Sequence, residues 1–111
     1  MTQQEAFKYI SDGHTLWTVE CAKEVCKAFG VPFEENLVAH YKGQKDANPN
    51  NDYKGLWLKE DKPTDGVNSL ALSNYIAVKI LNTQSIPSGE FYGRGSGARA
   101  NAESVRRHLN L

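Results

Sequence analysis

Asn68-Ser69-Leu70-Ala71-Leu72-Ser73-Asn74-Tyr75-Ile76-Ala77-Val78-Lys79-Ile80-Leu81 is the stretch whose reading decides the architecture. Leu70, Leu72, Ile76, Val78 and Ile80 alternate at period two, broken only at Asn74, as a strand would require. With Tyr75, Ala77 and Leu81 the same residues make a helix that is apolar nearly all round. Length separates the two, because the stretch is far longer than the usual strand of about five or six residues. Asp65 or Asn68 offers a short polar side chain for the N-cap. A helix with apolar residues on every side belongs in the middle of a fold. The expected fold class is therefore mainly α (α+β possible): a single compact domain over residues 1–111, of four to five helices with at most two or three short strands.

Working toward the N-terminus, Ala6, Phe7 and Ile10 recur at helical spacing behind Thr2 and Glu5, which have the form of a capping box. Ser11, Asp12 and Gly13 break that helix. A second begins at Thr15, with Leu16, Val19, Ala22, Cys26 and Phe29 on its buried stripe, widened by Trp17 and Val25. It closes at Gly30 and Pro32. Phe33, Leu37 and Tyr41 predict a further helix over 33–41, with Glu34 and Glu35 in its first turn, where the macrodipole favours acids. The polar text of 44–52 is read as a long loop, and Leu56, Trp57 and Leu58 as a strand or extended edge. Toward the C-terminus, 86–89 is a turn, Phe91 and Tyr92 a brief extended piece, and 97–109 a last helix burying Ala98, Ala102, Val105 and Leu109.

The chain has 111 residues, 40% hydrophobic and 23% charged, which is a globular composition able to form one modest core. Thirteen Lys plus Arg cancel thirteen Asp plus Glu, so global charge gives no argument for adsorption to nucleic acid or membrane. No apolar run approaches the roughly 18 residues of a membrane helix, and the signal-peptide pattern is lacking. A cytoplasmic chain with no membrane partner is expected. Cys21 and Cys26 lie five apart, about 140° round a helix, so two reduced thiols are expected rather than a disulfide. Their spacing is neither a redox C-x-x-C nor half a zinc pair; no metal and no cofactor is expected.

The neutral total hides an asymmetry. Residues 1–65 hold eleven acids and eight lysines, a net of −3, whereas 66–111 hold two acids, Lys79 and four arginines, a net of +3. All four arginines fall in the last eighteen residues. They accompany Tyr92-Gly93-Arg94-Gly95-Ser96-Gly97-Ala98-Arg99, in which three alternate glycines free the backbone and Ser96 is placed to cap the following helix. Helix N-terminal N–H groups with Arg94 and Arg99 beside them, and Arg106 and Arg107 two turns on, describe an anion site suited to phosphate. The competing reading is a flexible turn whose glycines only let the last helix pack, with the arginines as a solvated face in which Arg99–Glu103 and Glu103–Arg107 form i,i+4 pairs.

Competing motifs fall away. Gly93, Gly95 and Ala98 satisfy G-x-G-x-x-A, but neither the second strand nor the acid about twenty residues onward follows. No Gly-Lys-Ser/Thr completes a phosphate loop of the Walker type. The cadence of 22–41 resembles a helix-turn-helix, yet Glu34 and Glu35 would meet DNA phosphates and Asn36 occupies a core-facing position. His14 and His40 assemble no nucleophile, base and orienting acid by spacing; His108 suits a helix C-terminus. Glu34 with Glu35, and Glu60 with Asp61, are adjacent in sequence and so diverge.

The expectation is a non-enzymatic binding module that engages a phosphate-bearing partner, foremost nucleic acid, through Tyr92, Gly93, Arg94, Gly95, Ser96, Gly97, Arg99, Arg106 and Arg107. Tyr92, with Tyr53 and Trp57, is available for stacking, whereas Trp17 is assigned to the core. The alternative is a small protein-binding regulator or inhibitor, of the phage or mobile-element type, that occupies a host enzyme or complex and uses the 48–53 loop for specificity. The sequence leaves the partner's identity and the oligomeric state open.

Overall fold

The computed structural model describes residues 1–12, 15–34, 37–39, 58–59, 63–64, 66–86 and 97–111. Thr2 opens the first helix, α1 (Gln3–Ser11). Its Oγ1 accepts from Glu5 N–H (3.1 Å) while the Glu5 carboxylate accepts from Thr2 N–H (2.9 Å), so the capping box read from the sequence is formed. Ala6 and Ile10 are the buried face of α1.

α2 (Val19–Phe29) starts later than the apolar rhythm suggests. The backbone at Trp17 is committed elsewhere: its N–H donates to Thr64 Oγ1 (2.9 Å) and its carbonyl accepts from Thr64 N–H (2.8 Å). Residues 15–17 are therefore not helical, and Leu16, expected on the buried stripe, is 52% exposed. The cap is Thr18, and the return bond that Glu or Gln usually supplies comes from a thiol, with Thr18 N–H donating to Cys21 Sγ at 3.1 Å. At the other end Gly30 takes φ +71, and Val31 N–H reaches back to the Cys26 carbonyl (2.9 Å), a Schellman closure that favours glycine. Ala22, Val25, Cys26 and Phe29 are buried. Both cysteines are free thiols, as expected.

The helix expected over 33–41 is not formed in the described part of that span. Leu37 N–H donates to the Glu34 carbonyl (3.0 Å), and β1 (Val38–Ala39) follows directly. β1 pairs in parallel with β2 (Leu58–Lys59), Val38 opposite Leu58 and Ala39 opposite Lys59. Tertiary pairing has overridden a local rhythm: Leu37 is buried, Leu58 is fully buried, and Glu34 is drawn to the next helix rather than to a helix N-terminus of its own. The second helix of a helix-turn-helix is thereby lost. The end of the expected 56–58 strand is present at Leu58; Leu56, Trp57 and the extended piece at Phe91 and Tyr92 lie outside the described residues.

α3 (Gly66–Thr83) settles the ambiguous stretch as a helix, longer than its apolar core. It begins directly after Asp65, so Asn68 lies in its first turn and is not the cap. Ala71, Leu72, Ile76, Ala77, Ile80 and Leu81 join Trp17, Val25, Phe29, Leu37 and Leu58 in one hydrophobic cluster with residues of α1 and α2. Small polar side chains are buried on the same helix: Ser69, Ser73 and Asn74. Each is hydrogen-bonded, as dry polar groups must be. Thr64 Oγ1 lies 2.5 Å from Ser69 Oγ, Trp17 Nε1–H donates to Ser73 Oγ (3.1 Å), and the Ser73 hydroxyl faces the carbonyls of Ser69 (2.8 Å) and Tyr9 (3.1 Å). Tyr9 stacks edge-on to Trp17 at 5.4 Å.

α4 (Ala98–Leu109) packs against α3 and α1. The described fold is thus mainly α, four helices with one minimal parallel strand pair. Among the described residues no helix is long and apolar enough to cross a membrane.

Candidate anion-binding site

α4 is amphipathic for a simple reason: Ala102 and Val105 recur on one side, with Asn101 between their rows, and charged residues fill the rest. Asn101 is buried although polar, because its Nδ2–H donates to Asn74 Oδ1 of α3 at 2.9 Å. That bond fixes which face of α4 looks outward. The sequence reading missed Asn101, although its i,i+4 relation to Val105 and i,i+3 relation to Ala98 put it on the buried stripe.

At about 100° per residue, Arg99 and Arg106 lie about 20° apart round α4 and about 10 Å apart along it, whereas Arg107 is about 100° beyond Arg106. All three are exposed. Glu103 falls within this arc and grips one of them. Arg106 Nε–H donates to Glu103 Oε2 (3.0 Å), and its Nη2 donates to Oε1 of the same carboxylate. The expected i,i+4 pairing of Glu103 with Arg99 and Arg107 is thereby corrected: the carboxylate takes the i,i+3 guanidinium, whose fork offers two parallel donors. These bonds hold the Glu103 carboxyl below its ordinary value and push Arg106 up. Arg99 and Arg107 form no ion pair among the described residues.

The N-cap of α4 is Gly97, at φ +75, with no side-chain hydrogen bond closing it. Ser96 was expected at the cap; the position belongs instead to a residue without a side chain, since the left-handed conformation there favours glycine. Its carbonyl accepts from Asn101 N–H at 2.8 Å. Tyr92, Gly93, Arg94, Gly95 and Ser96 lie outside the described residues. Of the nine residues expected to form the site, the structure places Gly97, Arg99, Arg106 and Arg107 on one helix. It puts Arg99 and Arg106 on a common face and Arg107 on the next. At the C-terminal end, Arg106, Arg107 and His108 occupy the last turn, where cations suit the macrodipole.

A second polar cluster, which the sequence does not announce, joins the segment after α2 to α3. Glu34 accepts from Tyr75 Oη at 2.5 Å and pairs with Lys79 Nζ, which also lies 5.3 Å from the Tyr75 ring centre. Hydrogen bonds from Lys79 and then Tyr75 hold the Glu34 carboxyl low. The same Glu34 contact raises Lys79. Burial, then the bond to Glu34, raises Tyr75. Burial and, secondarily, the Glu34 charge push the Cys26 thiol up to about 11. Tyr75 and Lys79 of α3 both donate to the Glu34 carboxylate, which fastens the segment after α2 to α3. His14, His40, Glu35, Glu60, Asp61, Tyr53 and Trp57 lie outside the described residues. Among the described residues no group of three His, Cys, Asp or Glu could hold a metal ion. No family model, curated protein or solved structure matches this chain.

Proposed function

We propose that the chain is a non-enzymatic binding module for a phosphate-bearing partner, nucleic acid foremost, engaged through the outward face of α4 and the Gly/Arg segment that precedes it. The observation that carries this reading is the segregation of arginine. All four lie in the last eighteen residues, and Arg99 and Arg107 stand on the solvent side of α4 with no carboxylate partner among the described residues. Guanidinium groups spaced along one helix suit successive phosphates of a backbone, which position a protein without reading sequence. Arg94 and Tyr92 enter the proposal from sequence alone, as a further phosphate ligand and a stacking platform.

The test is fluorescence anisotropy with labelled single-stranded and duplex oligonucleotides across a salt series. Replacing Arg94, Arg99, Arg106 and Arg107 by Ala should weaken binding for all sequences alike. It should also flatten the plot of log affinity against log salt by about 0.9 for each duplex phosphate no longer engaged, or about 0.7 on single strands. Absence of binding by the natural chain at low salt removes the reading.

A second reading, a protein-binding regulator, draws on Leu16 and Leu70, exposed at 52% and 38%. They flank one hydrogen-bonded node, since Trp17 and Ser69 both bond Thr64. Co-purification of a cellular protein that survives nuclease and is abolished by Leu16→Ser with Leu70→Ser would favour it.

A further inference from the structure

We propose that Glu103 is an internal stand-in for phosphate: its carboxylate fills the guanidinium fork of Arg106 and must be displaced before that arginine can take a phosphate of the partner. The inference rests on the phosphate-binding reading of α4 and concerns how that site is regulated.

Three observations converge on it. The interaction is two-pronged, Nε to one carboxylate oxygen and Nη2 to the other, which is also how a guanidinium takes two non-bridging oxygens of a phosphodiester. The two ligands are therefore competitors for the same pair of donors. Next, both side chains are nearly half exposed, at 46% and 44%, so the pair can open without uncovering the core. Finally, Glu103 lies between Arg99 and Arg106 along the helix, with the Arg107 charge also acting on it. A carboxylate there opposes any anion approaching the three arginines, and the opposition is strongest at Arg106.

The exchange is balanced in charge: one singly charged oxyanion replaces another on a guanidinium that stays protonated throughout. What changes is the number of arginines that count. In the natural chain Arg99 and Arg107 engage the backbone directly, and Arg106 does so only after its carboxylate swings out to water. The closed pair is the prevailing state in the natural chain, so Arg106 adds little to the affinity until Glu103 is removed.

The experiment compares the natural chain with Glu103→Gln, Arg106→Ala and the double variant, using the same labelled single-stranded oligonucleotide across a salt series. Circular-dichroism melts accompany it to confirm that all four chains fold. Glu103→Gln should bind several-fold to about tenfold more tightly, with the log–log salt slope steeper by about 0.7, the increment for one more phosphate engaged on a single strand. Arg106→Ala alone should cost less than about twofold. The gain from Glu103→Gln should vanish when Arg106 is already Ala. If the gain survives in the Arg106→Ala background, removal of a nearby negative charge explains it and the stand-in role is overturned. It is equally overturned if Glu103→Gln leaves affinity and slope unchanged while the natural chain binds. Failure of all four proteins to bind at low salt overturns the inference together with the reading of α4, and so differs from failure of the stand-in alone. Should Glu103→Gln disturb the helix, Glu103→Ala makes the same comparison with a strong helix former.

Discussion

Replacing Ser73 by Ala strips the indole of Trp17 of its hydrogen-bond acceptor inside the core. Both side chains are buried, Trp17 completely, so water has no ready access to the orphaned Nε1–H. A dry, unsatisfied donor costs about 1–3 kcal/mol. Alanine returns up to about 0.5 kcal/mol through its better helix propensity, leaving a net loss of about 1–2 kcal/mol. For a chain of this size, with a total stability on the order of 5–15 kcal/mol, that is readily measured. Trp17→Phe destabilises on its own through the volume it deletes, but it also removes the donor. In that background Ser73→Ala should cost about 1–2 kcal/mol less than it does beside Trp17, because only the hydroxyl's own contacts with the Tyr9 and Ser69 carbonyls are then lost. Urea unfolding followed by far-ultraviolet circular dichroism gives all four stabilities, and the coupling energy between the two sites should be about 1–2 kcal/mol. Equal costs for Ser73→Ala with Trp17 and with Phe at position 17 would refute the reasoning, since the indole would then not depend on that hydroxyl.

Glu34→Gln should cost about 0.2–1 kcal/mol, the range for a half-exposed pair. Because the folded state holds the Glu34 carboxyl below 4.5, its contribution is present above that pH and is lost as pH falls further. Lys79, raised above 10.5, contributes below that pH and loses its share as pH rises past its folded value. Urea midpoints of the natural chain and Glu34→Gln should therefore converge at both extremes and differ most between them. Gly30→Ala should cost about 1 kcal/mol from the left-handed φ alone, because a Cβ there meets nothing within 4 Å. Gly30→Asn should be milder, and a thermal melt ranks the two. A thiol-specific alkylating reagent at mildly alkaline pH should modify the half-buried Cys21 well before Cys26, whose thiol is buried and raised to about 11. Equal rates in the folded protein would contradict the described burial.

The helices were legible where local pattern and tertiary need agree. α3 could be recognised because its apolar run outlasts a strand, and α1 because Thr2 and Glu5 carry their own hydrogen bonds within one turn. The span 33–41 was misread for the opposite reason. Phe33, Leu37 and Tyr41 have helical spacing, but Glu34 is claimed by Lys79, 45 positions away, and Val38 pairs with Leu58. No window of local periodicity contains either partner. Leu16 shows the same limit, since it extends the α2 rhythm while Trp17 beside it is tied to Thr64, 47 positions on. At the site, the burial of Ala102 and Val105 on one side of α4 followed from helical spacing. Which arginine Glu103 would take did not, because i,i+3 and i,i+4 neighbours are nearly equidistant on a helix surface.

An apolar cylinder has no preferred azimuth: if every side of α3 were oil, the helix could turn in its seat at little cost, and the packing would be a family of near-equal arrangements. The hydroxyls of Ser69 and Ser73 and the amide of Asn74 act as keys cut into that cylinder. Each finds its mate at only one angle of rotation, toward Thr64, Trp17 and Asn101 respectively. Substitutions that make α3 greasier at these three positions would thus trade a unique setting for a slippery one, and the loss would appear first as heterogeneity in how α4 is presented.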